Sequence, residues 1–169
     1  VLYSVKLKHV PLLDIVILVS GFLIRVFYGA KIIDVSVSNW LYLTVLAISF
    51  YMGLGKRRNE IKLSGDNDTR SVLSFYSYDF LDKNMYVCSA LAIVFYSLWC
   101  VDASTIASFG SNKLIYTIPF IILICMSYSL SVEKSESDDP VDIVFENKFL
   151  LILILLYALT LVGLIYIKF

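Results

Sequence analysis

Phe149 to Ile167 is almost pure leucine and isoleucine, long enough as a helix to cross a hydrocarbon core. Four further apolar runs precede it: Val10 to Ala30, Trp40 to Leu54, Met85 to Val101 and Leu114 to Leu130. The chain is 59% hydrophobic, where soluble domains run roughly 45–50% apolar, and its mean hydropathy is +0.82. The pattern predicts an all-α integral membrane protein. It is a bundle of five transmembrane helices over about 10–30, 40–54, 85–101, 114–130 and 149–167, with residues 1–169 forming one membrane domain.

Composition excludes several function classes. The formal charge is zero, and no basic-aromatic surface or motif suits nucleic acid. Cys88, Cys100 and Cys125 sit singly in apolar runs, which argues against a disulfide framework and against a zinc site with the lone His9. They read as small packing residues. The sequence opens on Val1 with no signal-peptide n-region, so it is expected to be a fragment of a longer membrane protein.

Charge is placed unevenly. Gly55-Lys56-Arg57-Arg58-Asn59-Glu60 stands directly after the second apolar run and brings three cations to the membrane surface, where phosphate groups would be met. Such clusters also mark ordinary cytoplasmic loops. On that side lie Lys6, Lys8, Lys56, Arg57, Arg58, Lys62, Arg70, Lys83, Lys134 and Lys148, against Lys31, Lys113 and Lys168 on the other. Ten cations against three put the loop 55–84 in the cytoplasm. Lys56 and Glu60, four apart, share a helix face and would pair, or Glu60 would help hold a divalent cation.

The first span carries Asp14 and Arg25. Eleven residues apart, they fall on one helical stripe with Gly21, yet lie too far apart along the axis to pair. Both are expected to face the bundle interior or a water-filled cavity, since lipid exposure near the centre costs at least ~2.5 kcal/mol each. The alternatives are a structural interhelical pair, or Arg25 snorkelling to the far interface. Further on, Val72, Leu73, Phe75, Tyr76 and Phe80 suggest a short interfacial helix lying over the cation patch. Pro119 predicts a local kink in the fourth span, and the acidic stretch 133–148 reads as a solvated structural loop.

Three groups of residues occur in order: Tyr3-Ser4-x-x-Leu7-Lys8-His9-x-x-x-Leu13-Asp14, then Gly21-Phe22-x-x-Arg25-x-x-x-Gly29-Ala30, then Gly55 to Glu60. Together with Arg70-x-Val72-Leu73-x-x-Tyr76 and Asp139-Pro140, they resemble the carboxyl-terminal half of the UbiA prenyltransferase superfamily. The nearest branch is that of the decaprenyl-phosphate phosphoribosyltransferases. The resemblance implies the second half of a nine-helix fold, with the aspartate-rich motif in a missing amino-terminal half, so a fragment alone would be inactive. Ser127-Tyr128 and Asn147 depart from that branch, which tends to carry Arg-Tyr and Asp there.

The implied reaction is Mg²⁺-dependent transfer of a phosphoribosyl group from phosphoribosyl diphosphate to a polyprenyl phosphate, in cell-wall arabinan precursor synthesis at the bacterial plasma membrane. Lys8, Lys56, Arg57 and Arg70 are the candidate phosphate contacts. Asp14 and Glu60 would touch ribose or magnesium-bound water, and Tyr3, Arg25 and Tyr76 would support them. The implied partners are both substrates, the bilayer and the missing half; a homo-oligomer is allowed. Two alternatives stay open: prenyl transfer to an aromatic acceptor, and a non-enzymatic membrane scaffold or transporter half.

Overall fold

Apolar runs set where the helices lie, and capping side chains set where they begin. The computed structural model describes residues 10–35, 37–63, 72–110, 112–135, 137 and 139–166. Seven α-helices follow in order: α1 Leu13–Ile32, α2 Asn39–Leu63, α3 Tyr78–Val101, α4 Ala103–Phe109, α5 Ile118–Lys134, α6 Pro140–Glu146 and α7 Lys148–Tyr166. Short 3-10 turns occupy Leu73–Phe75 and Lys113–Thr117. No strand occurs among the described residues.

Ser77 caps α3, its Oγ accepting from the Phe80 N–H at 3.1 Å. Asp102 caps α4 through the Ser104 N–H at 3.1 Å, and Gly110 closes that helix at φ 67°. Asp139 caps α6 through the Val141 N–H at 2.9 Å, with Pro140 in the first turn, where its missing N–H is harmless. Asn147 then accepts from the N–H groups of Phe149 and Leu150, starting α7 in a new direction. The bend from α6 to α7 is 93°.

α2 organises the bundle. It packs mainly against α3, next against α1, and touches α5 and α6. One buried cluster lies towards its carboxyl end and includes Ile15, Val19, Tyr51, Leu54, Leu81, Met85, Val132 and Ile143. A smaller one gathers Tyr96, Trp99, Cys100 and Leu114. Large apolar side chains also cover much of the outside, among them Ile24 and Tyr28 on α1, Val87 and Val94 on α3, and Leu155 and Leu159 on α7. Such an exterior suits a hydrocarbon solvent.

Among the described residues, three helical stretches are long and apolar enough to span a membrane: Leu13–Ile32, Tyr78–Val101 and Lys113–Lys134. A fourth arises only if α6 and α7 count as one bent span. The second span, too short to end at Leu54, continues as helix as expected: α2 runs from Asn39 through the cations to Leu63, mixing Thr44, Ser49 and Tyr51 with its apolar residues. The expected loop is correspondingly shortened, because residues 55–63 belong to α2 and residues 78–84 to α3. Pro119 stands where the 3-10 turn passes into the start of α5, rather than inside a kinked helix. The acidic stretch holds α6, whose Ile143 is fully buried.

Candidate functional site

Successive residues of a helix point about 100° apart. Arg57, Arg58 and Asn59 are nevertheless all buried, at 5%, 4% and 0% exposure, so each must meet a different neighbour. Arg57 Nε lies 2.7 Å from Asp14 Oδ2 on α1. Arg58 Nε lies 2.7 Å from Asp82 Oδ1 on α3, with its guanidinium 4.5 Å above the Tyr78 ring. Asn59 Nδ2 donates to the Ser137 carbonyl at 2.9 Å, beyond α5. Lys62 adds a bond to the Glu133 carbonyl at 2.6 Å. One turn of α2 thereby ties three parts of the molecule together.

Arg57 is the most heavily engaged of these groups. Its Nη1 also reaches both oxygens of Glu60, at 2.6 and 2.5 Å, so one guanidinium serves two carboxylates. The second oxygen of Asp14 accepts from the Tyr76 hydroxyl at 2.6 Å. That hydroxyl in turn accepts from the backbone N–H of Leu12, which stands at φ 67° just before α1. A leucine in the left-handed region is uncommon, and here it lies beside the charged cluster. Burial, and next the bond to Asp14, pushes the Tyr76 hydroxyl pKa up to about 12.

The structure therefore brings together Asp14, Arg57, Glu60 and Tyr76 from two helices and a connecting turn. Lys56 is half-buried on the same turn of α2. Glu60 is gripped by Arg57, three residues back. Arg25 departs from the expected interior position. It is exposed, its Cζ 6.0 Å from the Phe22 ring, so the stripe shared with Asp14 is buried only at the Asp14 end. The reason is packing: α1 meets α2 through Ile15, Val19 and Gly53, and beyond that contact Ile24, Val26 and Tyr28 are exposed. Tyr3, Lys8 and Arg70 lie outside the described residues.

Arg58 and Asp82 are what sequence reasoning passed over. Two adjacent arginines on one helix cannot both face the same hollow, and an aspartate in the first turns of the next helix was the available partner. The residue Tyr76 arrives on a 3-10 turn over Leu73–Phe75 rather than on a longer interfacial helix, with Val72 and Leu73 buried beside it and Phe75 69% exposed.

No family model matches the chain. Decaprenyl-phosphate phosphoribosyltransferase of Mycolicibacterium smegmatis is 32% identical, over 97% of this chain and 54% of its own length. The enzymes of that name from Corynebacterium glutamicum and Mycobacterium tuberculosis are 30% and 29% identical, over 98% and 94% of the chain. This chain is a relative of the decaprenyl-phosphate phosphoribosyltransferases. It spans about half the length of the curated relatives it matches, between 50% and 54%.

For a relative of phosphoribosyltransferases, local charge matters. Asp14 and Glu60 both pair with Arg57, and Asp82 pairs with Arg58, so the two arginines are already engaged by carboxylates. Both carboxylates are held by Arg57, and among the described residues no three acidic, histidine or cysteine side chains gather to hold a metal.

Proposed function

We propose that this chain is the carboxyl-terminal half of a UbiA-type polyprenyl-phosphate phosphoribosyltransferase, with its active face at the cytoplasmic surface of a bacterial plasma membrane. The observation that carries the reading is the buried Asp14–Arg57–Glu60 cluster, braced by Tyr76, in a chain whose relatives bear that enzyme's name. Spans that pack without chemistry rarely bury two carboxylates and two arginines in one layer.

In the proposed reaction a lipid phosphate oxygen attacks ribose C1 of phosphoribosyl diphosphate. The bond from C1 to the diphosphate oxygen breaks, and diphosphate leaves with the electron pair. The attacking oxygen is already anionic at neutral pH, so the difficulty is electrostatic rather than one of proton removal. Lys56, with Lys8 and Arg70 from the flanking segments, meets the phosphates. Asp14 and Glu60 face the ribose hydroxyls as acceptors. Arg57 holds both carboxylates in position and reaches a phosphate only by loosening its grip on Glu60. Magnesium belongs to this proposal through the diphosphate and the absent half. Glu60 would add a carboxylate ligand from this chain.

The test is to express the full-length parent and supply phosphoribosyl diphosphate with polyprenyl phosphate. Formation of a phosphoribosylated lipid with release of diphosphate is expected. Diphosphate release that depends instead on an aromatic acceptor and a prenyl diphosphate would replace this reading with prenyl transfer. Absence of both activities in a folded, magnesium-supplemented protein would favour a non-enzymatic role.

A further inference from the structure

Arg25 is exposed at a depth where a bare cation is costly. It lies in the apolar helix α1, seven residues short of the end at Ile32, about 10 Å along the axis. Helical side chains lean towards the amino end, and Arg25 does so: its Cζ lies 6.0 Å from the ring of Phe22, at the middle of the helix. On a membrane-crossing α1 the charge is therefore held near the midplane rather than carried out to the far headgroups. Among the described residues it has no ion pair.

The uncovered face is the one that begins at the candidate site. Asp14 and Arg25 share a stripe of α1, and Asp14 is met by Arg57 and Tyr76. The buried residues of α1 are Asp14, Ile15 and Val19, with none beyond. Gly21 and Gly29, four residues to either side of Arg25, have open space where a side chain would start, so a neighbouring helix can approach closely. Ile24, Tyr28 and Ile32, all exposed, suit packing against such a helix rather than against water. The helix has to bring a negative group, since an arginine at this depth is kept by pairing. This chain does not supply it: no aspartate or glutamate occurs in the stretches 15–33, 35–59, 83–101, 103–132 and 147–169. A second copy packed symmetrically on the same face would set Arg25 against Arg25. What is left is the remainder of a longer protein, since the chain spans about half the length of its relatives.

We propose that a transmembrane helix from the remainder of the full-length protein packs on the Arg25 face of α1 and sets a carboxylate against its guanidinium. This rests on reading the chain as one half of a longer enzyme, and not on which reaction that enzyme performs.

Spin labelling of the full-length protein in lipid vesicles tests the packing, with a nitroxide on Tyr28→Cys and the other cysteines replaced by alanine. The label is expected to be shielded from both molecular oxygen and a water-soluble nickel chelate, because protein covers the face. Collision with oxygen alone would mean lipid there, and collision with the nickel chelate would mean water. Dipolar coupling between labels would mean a second copy. Each of these overturns the proposal. Charge exchange tests the pairing. Arg25→Glu should lower the melting temperature in detergent by at least about 5 °C. Replacing one acidic residue of the remaining spans by lysine should then restore at least half of the loss. Where Arg25→Glu yields no folded protein, Arg25→Gln takes its place, rescued by the matching change of that carboxylate to an amide. Rescue at no acidic position overturns the pairing. A full-length sequence that adds no further span would instead refute the half-enzyme reading, before any variant is made.

Discussion

Two buried polar networks stabilise this bundle, and they are built from different chemistry. Towards the carboxyl end of α2, Asp14, Arg57, Glu60, Arg58 and Asp82 join α1, α2 and α3 by ion pairs. In the smaller core cluster, the Tyr96 hydroxyl shares hydrogen bonds with Thr117 and Tyr157, and Thr117 donates to the Leu114 carbonyl at 2.6 Å. The second network is neutral and closes on itself. Losing one neutral partner costs one modest hydrogen bond. Losing one member of the first leaves a buried charge short of a partner, and that is more costly. A bundle that needed only to hold together would manage with the neutral kind. On the proposed function, the charged kind is kept where charge has a second use.

The difference can be broken from the charged side first. Asp14→Ala removes the partner of Arg57 Nε and the acceptor of Tyr76 together. Arg57 keeps Glu60 as a counter-ion, so the change should cost about 2–3 kcal/mol, seen as a lower melting temperature or less folded protein in detergent. Asp82→Ala strands Arg58, but Asp82 is itself partly exposed, so about 2 kcal/mol is expected from the same melt. Tyr76→Phe deletes the brace between Asp14 and Leu12 and should cost about 1–2 kcal/mol. Tyr96→Phe, the matching change in the neutral network, should cost less than about 1 kcal/mol, because Thr117 keeps its bond to Leu114. If Tyr96→Phe proves as damaging as Asp14→Ala, the distinction between the networks disappears.

The smallest effect is one of pH. The folded Tyr76 hydroxyl titrates at about 12, above the ordinary tyrosine value of 10. Its contribution is fully present below the unfolded pKa and is lost as pH rises through the folded one. The melting advantage of the wild type over Tyr76→Phe should hold to near pH 10 and shrink between there and about pH 12. An advantage that shrinks already near neutrality would mean that Tyr76 is not the proton donor to Asp14.

The two regions were also unequally legible in the sequence. Apolar runs announce helices because hydrocarbon-facing residues need no particular partner, so Phe149 to Ile167 and Leu114 to Leu130 point to α7 and α5 directly. Partners were harder. The run of α2 past Leu54 was legible from the shortness of its apolar run, but the tertiary partners of Arg57, Arg58 and Asn59 were not, since no local pattern displays them. α6 was hidden for a similar reason: in a stretch with six acidic residues, the deciding positions were Asp139 as a cap and Ile143 as a core residue. Asp14 was legible as a buried charge, since an isolated carboxylate in an apolar run must be explained. Its partner was not, because Asp14 and Arg57 are 43 residues apart. Arg25 carried the same signal as Asp14 and proved exposed, which shows that a helical stripe predicts a shared face but not how far a neighbour covers it.

The central claim is that the carboxyl end of α2 is built for phosphate chemistry, with Arg57 organising carboxylates and Lys56 meeting the substrate. The decisive measurement is steady-state phosphoribosyl transfer by the full-length protein carrying Lys56→Gln, with its melting curve recorded alongside. The account predicts a loss of about 100-fold in kcat/KM for phosphoribosyl diphosphate, with melting within about 4 °C of the wild type. Unchanged turnover in the folded variant would contradict it and leave the cations of α2 as a topological signal alone.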